Sequence, residues 1–176
     1  LLLTAGLLPG VAAILFLEAF SYLSLNKQST ERNLVAWWLG RWEMSELHAG
    51  GCHCARVRYQ FSGPLVDIAH CHCSICRRVS GGLVTSWITL PRSAFAWVAG
   101  APAQYESSAS CVRYFCSHCG AQLALVTLLS PESIDVTVAT LDHPELAPAD
   151  RHIWVTSRLP WLHLDEHLPQ EDGEAL

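Results

Sequence analysis

Residues 69–78 read AHCHCSICRR and set Cys71, Cys73 and Cys76 among two histidines, His70 and His72. Thiols this dense either cross-link the chain or take up a metal. Spacing separates the two cases. The chain's eight cysteines include Cys52 and Cys54 as C-x-C, this central C-x-C-x-x-C, and Cys116 and Cys119 as C-x-x-C. Metal knuckles use these spacings, and small disulfide frameworks rarely need them. Zinc is therefore expected in place of disulfides, and with it a reducing compartment, the cytoplasm.

Outward from the cluster the chain is written in short alternating stretches. ARVRYQF (55–61) alternates polar and apolar side chains, as do parts of LVTSWITL (83–90), CVRYF (111–115), AQLALV (121–126), SIDVTVATL (133–141) and HIWVTS (152–157). Period two is the pattern of half-buried strands. Turn signals punctuate them at Ser62-Gly63-Pro64, Gly81-Gly82, Leu90-Pro91, Gly100-Ala101-Pro102, Ser130-Pro131 and Asp142-His143-Pro144. Short strands broken about every ten residues predict an all-β domain, to which RRVSGG (77–82) adds one short helical turn. A chain of 176 residues suits one domain with a real core.

The first third has another texture. Residues 1–25, LLLTAGLLPGVAAILFLEAFSYLSL, are apolar and uncharged up to Glu18, and about seventeen such positions lie near the lower limit for crossing a bilayer. Pro9, Gly10 and Glu18 argue against a span, and no positive flank marks a secretory signal. Met44, the only methionine, opens MSELHAGGCHCARVRYQF, where the texture changes. Residues 1–43 are thus an apolar extension, expected to be helical and outside the domain, and either upstream read-through or a membrane anchor.

Charge excludes one class of partner. The formal net charge is −5 and Lys27 is the only lysine, so there is no electrostatic footprint for nucleic acid. The final LDEHLPQEDGEAL (164–176) is acidic with few apolar groups after Leu168. It is expected to fray into solvent, residues 170–176 forming an acidic tail.

Ligand counting gives the cysteines different tasks. A structural zinc takes four protein ligands, whereas a catalytic one keeps three and an open position. Cys52 and Cys54 supply half a tetrahedron. Cys116 and Cys119 supply the other half, followed by Gly120, which is free to adopt the positive φ of a tight knuckle. Cys71, Cys73 and Cys76 are left as a set of three. Either Cys111, His70 or His72 closes that set into a second structural site, or it stays open. His53 and His118, between knuckle ligands, are expected to point away. Trp87, Trp97, Trp154 and Trp161 suit core or pocket wall. Arg77, Arg78 and Arg113 lie beside the thiols, either balancing their charge or holding a substrate carboxylate.

With these residues in hand, the chain resembles the glutathione-dependent formaldehyde-activating enzymes, a family that includes centromere protein V. The likeness runs from Gly50 to about Pro169, through GGCHCARVRYQF, CHCSICRR, YESSASCVRYFCSHCGAQL, VATLDHP and HIWVTSRLPWL. It implies a β-tent-type fold of twisted antiparallel sheets with two zinc ions, in a domain spanning 49–169. It assigns Cys52, Cys54, Cys116 and Cys119 to a structural zinc, and Cys71, Cys73 and Cys76 to a catalytic one. The activity implied is a carbon–sulfur lyase, an S-(hydroxymethyl)glutathione synthase, with glutathione and formaldehyde or a related small aldehyde as partners. A different class of function, a non-catalytic zinc module that binds a partner or senses thiol or metal status, would require both metals to be fully ligated.

Overall fold

The computed structural model describes residues 46–174, which belong to a compact unit, Ser45–Leu176. The apolar extension and its helical or membrane-anchoring expectation lie outside the described residues. Among the described residues no helix is long and apolar enough to cross a membrane.

Among the described residues ten strands and one short α-helix follow in the order β1 (Leu47–Gly51), β2 (Arg58–Ser62), β3 (Ile68–Cys71), α1 (Ser74–Ser80), β4 (Thr85–Pro91), β5 (Phe95–Ala99), β6 (Ala103–Ser108), β7 (Cys111–Phe115), β8 (Gln122–Thr127), β9 (Ser133–Thr137) and β10 (Arg151–Ile153). The chain is mainly β, as the alternation predicts. The strands form a three-stranded sheet, β1-β2-β5, and a seven-stranded sheet, β10-β3-β4-β9-β8-β7-β6. All pairings are antiparallel except β10 beside β3. That parallel edge was not expected from an antiparallel reading; the long connection from β9 to β10 makes it reachable.

Alternation along the seven-stranded sheet sorts side chains onto two faces. On one face Ile88, Val136, Ala124 and Leu123 pack with Tyr59 and Phe61 of the small sheet, forming the main core. Phe95 and Trp97 of β5 close it, their rings 4.9 Å apart edge to face. The other face carries a smaller core of Ala69, Cys71, Cys76, Trp87, Leu125 and Ile153. Its polar members come in a row, because the register aligns Thr89 with Asp135, Asp135 with Leu125, Leu125 with Arg113 and Arg113 with Tyr105.

The acidic end does not fray over the described residues. It runs beside β10, where His152 N–H donates to Pro169 O at 2.8 Å and Glu171 N–H to His152 O at 2.9 Å. The sequence hides this because most of the bonds are main-chain, joined by an Arg151–Glu171 ion pair at 3.5 Å, and the side chains there are those of a solvated tail.

Candidate active site

All eight cysteines are free thiols. The knuckle spacings bring Cys52, Cys54, Cys116 and Cys119 together, with one sulfur from each within 4.8 Å of the others. The Cys52 and Cys54 sulfurs are 3.5 Å apart, and those of Cys54 and Cys116 are 3.7 Å apart. A tetrahedron with metal–sulfur bonds of 2.3 Å has edges of about 3.8 Å, so the donor spacing fits a thiophilic tetrahedral ion. The local turns explain the placement. Gly120 takes the expected positive φ of 76° and its N–H donates to Cys116 O at 2.8 Å, while Val57 N–H points at the Cys52 sulfur at 3.3 Å.

Cys71, Cys73 and Cys76 form the second group, also within 4.8 Å, with Cys71 and Cys76 sulfurs 3.7 Å apart. Two elements meet here. Cys71 ends β3, Cys73 is the N-cap of α1 and accepts from Cys76 N–H at 3.2 Å, and Cys76 lies in the first turn of the helix. The Cys73 thiol is held far below its ordinary value by hydrogen bonds from the Cys71 and Cys76 sulfurs, helped by main-chain N–H groups. Cys71 moves the opposite way, raised by the neighbouring Cys73 sulfur and by burial.

Among the described residues no histidine, cysteine or acid completes this set. His70, in β3, and His72, just past its end, flank Cys71 and face away from it. His70 Nδ1 bonds Ser86 Oγ at 2.7 Å, and the fully buried His72 bonds His152 through its Nε2 at 2.9 Å. Burial pushes His72 down to about 4, which keeps it neutral in that pair. Cys111 shares the cavity wall but is not part of the ligand cluster.

The three sulfurs open into a cavity of about 300 Å³. Its walls add Trp87, Arg113, Asp135, Trp154 and Glu174. Arg113 is 4% exposed; its Nη2 donates to Cys76 Sγ at 3.4 Å and its Nε to Ser107 Oγ at 2.9 Å, and its guanidinium lies 5.8 Å from the Trp87 ring centre. Nη1 has no partner among the described residues. Trp154 holds φ at 58°, uncommon for a large side chain and typical of constrained sites.

Asp135 was missed by sequence reasoning, which found no acid or base. It accepts a hydrogen bond from Thr89 Oγ1 at 2.7 Å, and burial raises its carboxyl to about 6. Nothing in SIDVTV distinguishes it from a solvent-facing strand residue; only the second core on that face does. Arg77, in contrast, braces main chain, donating to His72 O at 3.2 Å and Ser157 O at 3.0 Å.

The sequence model for the glutathione-dependent formaldehyde-activating enzyme family matches residues 47–157, more than half of the chain. A Halomonas elongata protein that carries this family's name is 27% identical over 126 residues, 66% of this chain and 80% of that protein. A crystal structure of a Rhodobacter sphaeroides protein aligns with 69% of this chain and 98% of its own, at 22% identity and a TM-score of 0.48.

Proposed function

The chain belongs to the glutathione-dependent formaldehyde-activating enzyme family, and from that premise we propose that it is a zinc-dependent carbon–sulfur lyase joining glutathione to formaldehyde or a related small aldehyde. One observation carries the reading: three clustered thiols with no fourth protein ligand among the described residues open into a cavity that also holds a buried guanidinium and a carboxyl.

Cys52, Cys54, Cys116 and Cys119 would hold a structural zinc, and Cys71, Cys73 and Cys76 a second one. Bound there, zinc supplies Lewis acidity that favours a thiolate or polarises a carbonyl oxygen. The chain's own groups manage the protons and the space. In the forward direction the thiol gives up its proton, sulfur bonds to the carbonyl carbon, the C=O π pair moves to oxygen, and that oxygen is protonated. The lyase direction reverses each change. Asp135, as a carboxylate above about pH 6, accepts the thiol proton and returns it to the oxygen. Arg113 Nη1 donates to the same oxygen as its negative charge develops. The cavity of about 300 Å³ is at the small end for ligand sites and suits a one- or two-carbon aldehyde. Eight free thiols fit a reducing compartment such as the cytoplasm.

The test is exchange NMR with carbon-13 formaldehyde and glutathione. The zinc-loaded protein should speed interconversion of free and thiol-bound formaldehyde in a dose-dependent way. Exchange at the uncatalysed rate defeats the reading.

A further inference from the structure

Arg113 belongs to two cavities. The second is a groove of about 620 Å³, whose lining includes Arg78, Tyr105, Phe115 and Gln122 and no carboxylate. In a chain of net charge −5, a groove with two arginines and no acid is a selective feature. The unusual member is Gln122. It is 9% exposed, yet neither its Oε1 nor its Nε2 has a hydrogen-bond partner among the described residues. Buried amides are normally satisfied on both sides, and an orphaned one marks a place where something else completes the bonding.

The fold aims this amide deliberately. Tyr114 pairs with Ala124 but Phe115 pairs with Gln122, so Leu123 is the extra residue of a β-bulge. A bulge sends two successive side chains to one face. Leu123 and Ala124 both join the main core, and Gln122 is turned to the face that carries Arg113. Without the bulge Gln122 would enter the main core.

We propose that this groove binds the peptide portion of the thiol substrate: Gln122 pairs with an amide of the ligand, giving N–H to its carbonyl and accepting from its N–H, and Arg78 holds a terminal carboxylate. The ligand class is a short, carboxylate-bearing peptide thiol. This rests on the reading of the three-cysteine cavity as the thiol–aldehyde site, since Arg113, the wall common to both, sets the sulfur of a bound peptide next to that cavity. An amide is matched by an amide in both directions, and a carboxylate by a guanidinium fork.

The experiment uses S-methylglutathione, which keeps the peptide and carboxylates but has a blocked sulfur, titrated calorimetrically into the zinc-loaded full chain. Binding is expected, with Kd raised about tenfold by Gln122→Met and about tenfold by Arg78→Ala, the loss of one polar contact to an amide or a charged group. Zinc content and circular dichroism check each variant. Should Gln122→Met misfold, Arg78→Ala decides, because Arg78 is exposed. No binding by the unmodified protein, or an unchanged Kd in the folded variants, overturns the assignment. Binding with the expected pattern but no formaldehyde exchange upholds the groove and defeats the lyase reading instead.

Discussion

Cys73 combines two duties that a substitution can separate. Its sulfur caps α1 and is one of three clustered thiols. Serine keeps an N-cap acceptor but is a poor soft-metal ligand. Cys73→Ser should therefore leave circular dichroism nearly unchanged while zinc falls from two to one per chain and exchange activity is lost. Cys116→Ser should instead unfold much of the protein, since Cys116 is 1% exposed and belongs to the main core. Equal unfolding by both would make the second site structural. Asp135 gives a pH signature. Burial raises its carboxyl from 3.8 to about 6, Glu174 and Asp67 add repulsion, and Thr89 and Arg113 pull the other way. A raised acid binds more protons folded than unfolded, so its contribution is intact below pH 4 and lost as pH rises through about 6. Asp135→Asn should stabilise the protein at pH 8 by on the order of 2 kcal/mol, with no gain below pH 4. It should also abolish the rise of kcat/KM through pH 6 and cut the rate about a hundredfold. Chemical denaturation at both pH values, beside a pH–rate profile, measures these. The residue scale is also where the sequence was most and least readable. The grouping of the thiols follows from their spacing, whereas the sequence left His70 and His72 open as ligands until their bonds to Ser86 and His152 turned them away, and Asp135 and Gln122 gain meaning only from a second covered face and a bulge.

At the scale of elements, alternation found six strands, among them β8, which is buried on both faces. Parts of β2, β4, β7, β8, β9 and β10 lie within the stretches it marked. It missed β1, whose LHAGG is mostly glycine and alanine, β3, which has four residues and ends on Cys71, and β5 and β6, whose FAWVA and AQYESS are largely exposed. Those strands are recruited by neighbours, not by their own pattern. The C-terminal strap is a stronger case, because its pairing with β10 is main-chain and leaves no mark on side-chain pattern. Its acceptors at Pro169, Glu171 and Gly173 serve His152, Val155 and Trp154, the last of which lines the cavity. Truncation after Leu168 removes them and bares a sheet edge. A loss of about 3 kcal/mol should lower the melting midpoint by about 10 °C, and the bared edge should promote association. Thermal melting with light scattering tests both, and an unchanged midpoint would mean that the strap only rests on the sheet.

At the scale of the molecule, the two cysteine groups sit at different depths of the architecture. The four-cysteine group joins the turn between β1 and β2 of the small sheet to the turn between β7 and β8 of the large one. Its ion would staple the layers that enclose the main core, and such sites contribute folding energy directly. The three-cysteine group lies on the opposite face of the large sheet, in a core of six buried residues that joins strands of that one sheet, β3, β4, β8 and β10, to α1. It has one ligand fewer and opens into a cavity, so a chelator can reach it. Zinc removal should consequently occur in two stages. Under increasing chelator the first equivalent should leave with loss of exchange activity, while near-ultraviolet circular dichroism from Tyr59, Phe95 and Trp97 in the main core persists. The second should leave with that signal and with cooperative unfolding. Simultaneous loss of both equivalents and of the aromatic signal would show that the two groups stabilise one another, and the division of labour between staple and site would have to be given up.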